Sequence, residues 1–115
     1  MLALHHANAF LLIGVCAAAS VAAFVARRRG AGSYVAHLLA LAQTLLVAQV
    51  GLGLLLLSDH RRAPDRLHYA YGTLALLAVL SPWLYAPSDP RARLTWFAGA
   101  TLLAAVLGIR AYMTA

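Results

Sequence analysis

The chain of 115 residues has no lysine and no glutamate, and only 10% of its residues carry charge. An ordinary soluble domain is about one quarter charged. So little charge cannot cover a water-facing surface at this length, which argues against a soluble domain. Cysteine is nearly absent as well: Cys16 stands alone. A lone cysteine excludes an intramolecular disulfide and any Cys-based metal motif, and inside an apolar run it reads as a small buried thiol. The three aspartates, Asp59, Asp65 and Asp89, all lie between apolar runs, so no carboxylate falls within one. Neither lysine nor arginine precedes the first run in "MLALHHANA", and Val15 replaces the small residue that a lipoprotein cleavage box places before its cysteine. The first run is therefore expected to be retained rather than cleaved.

What the chain has instead is apolar length. Hydrophobic residues make up 63% of it, and the mean hydropathy is +0.80. A helix crossing a bilayer needs about 20 mainly apolar residues, and four such runs occur, at roughly 7–26, 34–57, 67–86 and 94–113. The expected fold is an all-α integral membrane protein, one four-span domain over residues 1–115. The connections "RRRGAGS" (27–33), "SDHRRAPDR" (58–66) and "SDPRAR" (88–93) are short, so successive helices must run antiparallel in an up-down-up-down bundle. Glycines end the first helix and Ser33 can cap the second. Pro87 and Pro90 block helix continuation, and Pro82 is expected to kink the third span or end it early. Alanine and glycine in spans one, two and four suit close helix packing. A small multidrug transporter also has four spans, but it relies on a glutamate inside the first, where this chain reads "FLLIGVCAAAS".

Nine arginines give a formal charge of +6. They punctuate span ends instead of forming a water-exposed patch, so nucleic acid is not an expected partner. Arg27, Arg28, Arg29, Arg91 and Arg93 fall on one side, and Arg61, Arg62, Arg66 and Arg110 on the other. The uninterrupted triple favours the first side as cytoplasmic. The expected location is a bacterial plasma membrane, with the N-terminus and the 58–66 hinge outside. Four arginines then lie where few are expected.

Ionisable residues in a membrane carry a functional hypothesis by default. His5 and His6 open the first span, His68 opens the third, and His60 lies in the hinge, all toward the outer face; His37 lies alone near the other. Spans one and three run in the same direction and sit diagonally in such a bundle. A histidine from each, at equal depth, can hold a planar macrocycle from two sides, with one ring nitrogen on the metal and the other donating a hydrogen bond. The expected cofactor is haem b, ligated by His68 and by one of His5 and His6. These two are about 100° apart on the helix, so one alone can point squarely inward. Arg61, Arg62, Arg66 and Arg110 then become candidate partners for the propionates, since the guanidinium fork matches a carboxylate. Gln49 with Gly53, and His68 with Gly72, are each four apart and share a helix face; the glycines leave room for a ring. Asn8, Gln43 and Thr44 have no expected role beyond interhelical hydrogen bonds. Most of the aromatics near span ends, such as Trp83 and Tyr112, read as an interfacial belt.

"QVGLG" (49–53), followed fifteen residues later by His68 in "LHYAYG", resembles a repeated segment of the haem A synthase family. There a Gln-x-x-x-Gly span leads through a short outer loop to a ligand histidine opening the next span. "LHHANAFLLIGV…RRRG" is similar in layout to the preceding span of each half. The resemblance covers roughly residues 3–80 and implies one four-helix haem-binding unit, like half of that eight-span enzyme. The glutamate of the catalytic half is replaced by Leu2 or Ala3, the arginine that usually follows its histidine by His6 or Ala7, and the outer-loop cysteine pair is missing. Haem hydroxylation is therefore not implied, whereas haem b binding is. The expected role is electron transfer, haem handling or respiratory assembly, with a homodimer or a larger respiratory complex as possible assemblies. The alternatives are a cofactor-free accessory subunit of a membrane complex, and a copper or zinc site built from His5, His6, His60 and His68.

Overall fold

The computed structural model describes residues 2–29, 33–58 and 66–114. Four helices account for nearly all of them: α1 (Leu2–Arg29), α2 (Ser33–Ser58), α3 (Leu67–Tyr85) and α4 (Pro90–Met113). No strand occurs among the described residues.

Local chemistry sets the helix ends. α1 begins at Leu2, five residues ahead of the apolar run, because a helix propagates through backbone hydrogen bonds regardless of side-chain polarity. His5 and His6 are thus already inside a regular helix. Its last turn carries Arg27, Arg28 and Arg29, cations that complement the negative end of the helix dipole. α4 starts with Pro90 at its first position and Asp89 as its cap, whose Oδ2 accepts from the Ala92 N–H at 3.0 Å. Pro82 does not terminate α3, which runs on to Tyr85. A proline at 82 deprives the Ala78 carbonyl of its helical donor, and the Ser81 hydroxyl donates to that carbonyl at 2.7 Å.

α1 packs along α2 and α4, and α3 packs along α4; α2 and α3 touch only sparsely, and the backbones of α1 and α3 do not come together. The helices alternate in direction: Gln49 near the end of α2 bonds the start of α1, and Ala111 near the end of α4 bonds the start of α3. This is an all-α, up-down-up-down four-helix bundle with α1 and α3 on a diagonal. Small side chains fill much of its core: Cys16, Ala19, Ala23, Ala42, Ala98 and Ala104 are fully buried. The Ser20 hydroxyl donates to the Ala98 carbonyl at 2.8 Å, tying α1 to α4 where both backbones come close.

At the arginine-rich end, the Arg93 guanidinium lies 5.6 Å from the Trp83 ring and 5.3 Å from the Phe97 ring. Trp83 Nε1–H donates to Gln43 Oε1 at 3.0 Å, so this cluster joins α2, α3 and α4. The outer surface is apolar too. Phe10, Val21, Leu54, Leu77 and Leu84 are each exposed over more than half of their area, and all four helices are long and apolar enough to cross a membrane.

Candidate cofactor-binding site

The end of the bundle where α1 and α3 begin holds a cavity of about 370 Å³, lined by residues of all four helices. Leu54 and Thr73, exposed on the outside, also line it, so it opens sideways along the loosely packed seam between α2 and α3. Its wall is mostly Leu, Val, Ala and Gly, with His5, His6, His68 and Gln49 as the principal polar groups.

His5 turns inward and is only 8% exposed, while His6, one position on, is exposed and lies edge-on to Tyr112 at 6.3 Å. Of the two adjacent histidines, His5 is therefore the one that faces the cavity interior. His5 and His68 come from the diagonal helices, yet their ring centroids are 6.0 Å apart, with planes inclined at 70°. His68 is half-buried, and its Nδ1 lies 2.7 Å from the Ala111 carbonyl. A carbonyl can only accept, so Nδ1 carries a proton, and in the neutral ring Nε2 keeps its lone pair.

Gln49 spans α1 and α2. Its Nε2 donates to the His5 carbonyl at 2.8 Å and lies 3.4 Å from His5 Nε2, a long contact. Its Oε1 accepts from Asn8 Nδ2 at 2.9 Å, and Asn8 Nδ2 also donates to the Leu45 carbonyl at 3.1 Å. His5 Nδ1 is buried and has no hydrogen-bond partner among the described residues. Gly53 explains how the His5 ring fits: a β-carbon at this position would lie 3.3 Å from His5 Cε1. Gly72 lines the same cavity, and a β-carbon there would meet nothing within 4 Å.

The arginines are placed differently. Arg110 is exposed, stacks over the Tyr71 ring at 5.5 Å and reaches the Tyr71 hydroxyl at 3.5 Å. Arg66 is exposed just before α3. Neither lines the cavity. Arg61, Arg62 and His60 lie outside the described residues. His37 is exposed near the far end of the bundle. Among the described residues, no group of three or more His, Cys, Asp or Glu side chains is placed to hold a metal ion together.

Two contributors to the site were only partly legible or not legible in the sequence. Asn8 makes the interhelical hydrogen bonds expected of it, but that they orient Gln49 beside His5 was not readable from residue type. The Ala111 carbonyl, which sets the His68 tautomer, is a backbone group and leaves no trace in residue type. Compared with family models, curated proteins and solved structures, the chain matches none.

Proposed function

We propose that the four helices cross a lipid bilayer and that the bundle binds one haem b between His5 and His68. The apolar outer surface supports the first part, because side chains such as Leu54, Leu77 and Leu84 find a matching solvent in hydrocarbon and none in water. The second part is carried by the 6.0 Å separation of the two imidazole rings. With metal–imidazole bonds of about 2 Å, rings this far apart would leave room for one metal ion between them, which His5 and His68 would hold.

Three further observations fit the group. Nε2 of His68 is left unprotonated by the bond to Ala111, the usual arrangement for a ligand histidine. His5 is inward and incompletely hydrogen-bonded. The cavity volume lies within the roughly 300–1,000 Å³ of small-molecule and cofactor sites, and its sideways opening lets a larger macrocycle extend toward the lipid. In this reading the chain supplies ligands and surroundings: His68 and His5 bind, Ala111 and Gln49 orient them, and the apolar wall excludes water. Haem b supplies one-electron chemistry, used for electron transfer, for haem handling or for respiratory assembly alone, as a homodimer or within a larger complex.

The test is an absorption spectrum. The protein is expressed with haem available, purified in detergent and reduced with dithionite. A sharp b-type α-band is expected, lost in His68→Ala and retained in His37→Ala; a colourless wild type overturns the reading. One observation favours a second reading, a cofactor-free subunit of a membrane complex: neither Arg66 nor Arg110 lines the cavity to meet a propionate. A colourless protein that co-purifies with a respiratory or transport complex is its expected result.

A further inference from the structure

The two histidines differ in how they are held, and this inference rests on the haem reading above. The Leu45 carbonyl accepts from Asn8 Nδ2, so that amide presents its N–H groups to Leu45 and to Gln49 Oε1. Gln49 must then turn its Nε2 toward α1, where the His5 carbonyl accepts from it. Two backbone carbonyls therefore orient both amides. His5 Nε2 faces an N–H group of Gln49, which makes it the lone-pair side of the ring and puts the proton on Nδ1.

Both rings thus carry their proton on Nδ1, and only one of the two protons is used. The His68 proton goes to the Ala111 carbonyl at 2.7 Å, a bond that strengthens Nε2 as a donor to a metal. The His5 proton has no acceptor among the described residues although the ring is only 8% exposed. In addition, His5 Nε2 keeps its long contact with Gln49 only when it is not bound elsewhere.

We propose that the site is asymmetric, with His68 the permanent ligand and His5 a displaceable one, so that the reduced haem protein binds a small uncharged ligand such as carbon monoxide in place of His5. The exchange breaks one iron–nitrogen bond and forms one bond to the incoming ligand, with no change in oxidation state and no proton transfer. The wall around His5, with Ala9, Leu12, Leu46 and Gly53, imposes no desolvation cost on a neutral diatomic but a large one on an anion.

Carbon monoxide is titrated into the dithionite-reduced, haem-loaded protein in detergent while the visible spectrum is followed. The wild-type bands are expected to shift. His5→Ala is expected to retain haem and to bind carbon monoxide at least about tenfold more tightly, because its internal competitor is gone. His68→Ala is expected to lose haem. If far-UV dichroism shows that His68→Ala is unfolded, His68→Gln takes its place, since a glutamine amide can still donate to Ala111. A reduced b-type spectrum that saturating carbon monoxide leaves unchanged overturns the asymmetry and leaves the haem reading standing. So does an affinity that is unchanged in His5→Ala, or haem lost from His5→Ala and kept by the His68 variant. A wild type that takes up no haem overturns both.

Discussion

At the residue scale, the site depends on which of two adjacent histidines turns inward. The chain reads "HH" at positions 5 and 6, and helix geometry alone says that they diverge by about 100°. The rotation of α1 about its axis decides between them, and that rotation comes from burial of Ala9, Leu12 and Cys16 against the other helices. Gly53 then admits the ring. On the haem proposal, Gly53→Ala is expected to push His5 by a few tenths of an ångström, from a contact of 3.3 Å, and to weaken haem uptake about tenfold, a cost of about 1.4 kcal/mol. Gly72→Ala should behave differently. Its β-carbon meets nothing within 4 Å among the described residues, so the haem-free protein should gain about 0.5–1 kcal/mol from the better helix former. Because Gly72 lines the cavity, the same substitution should lower haem uptake. Haem titration together with thermal unfolding of the haem-free variants checks both expectations, and equal behaviour of the two glycines would contradict this account.

At the element scale, α1 and α4 approach closely because their facing residues are small. Ala19, Ala23, Ala98 and Ala104 are fully buried, and the Ser20 hydroxyl reaches the Ala98 carbonyl. Ser20→Ala removes that bond but leaves a carbonyl still engaged in its own helix, so a loss of only about 0.6 kcal/mol is expected. Ala98→Leu adds three carbons where no space exists and should cost about 1–3 kcal/mol by forcing the helices apart. Thermal unfolding in detergent should therefore rank Ala98→Leu well below Ser20→Ala. The helices themselves were legible in the sequence, since four apolar runs of spanning length leave little alternative. Their ends were less so: hydropathy marks where apolar side chains stop, whereas the helix at Leu2–Arg29 continues for as long as its backbone bonds do. Pro82 is a similar case. The sequence announces a disruption there, but the Ser81 hydroxyl occupies the freed Ala78 carbonyl and α3 proceeds for three more residues.

At the scale of the whole molecule, the bundle is 47 Å long, close to the thickness of a bilayer with its headgroups, about 40–45 Å. The arginine triple at the end of α1 and the ring-stacked Arg93 mark one end, and the cavity lies at the other. The positive-inside tendency predicts that the cavity end faces outward. In a Cys16→Ala background, a cysteine introduced as His60→Cys should react with a membrane-impermeant maleimide in intact cells, and Ser88→Cys should react only after lysis. The reverse pattern would place the cavity on the cytoplasmic side.

Composition and periodicity by themselves determined the all-helical class, the number of helices and their spanning length, their alternating direction and the two histidine-bearing ends that share one depth. These follow from local quantities: hydrophobic length, charge placement and turn chemistry. Only the tertiary structure decided that His5 and not His6 meets His68, that Asn8 and Gln49 orient His5, that the Ala111 carbonyl holds His68, and that Arg66 and Arg110 stand away from the cavity. The physical reason is that each of these depends on the rotation of one helix against another or on a backbone carbonyl. Helix rotation is set by many weak packing contacts distributed along the chain, and a carbonyl has the same identity at every residue.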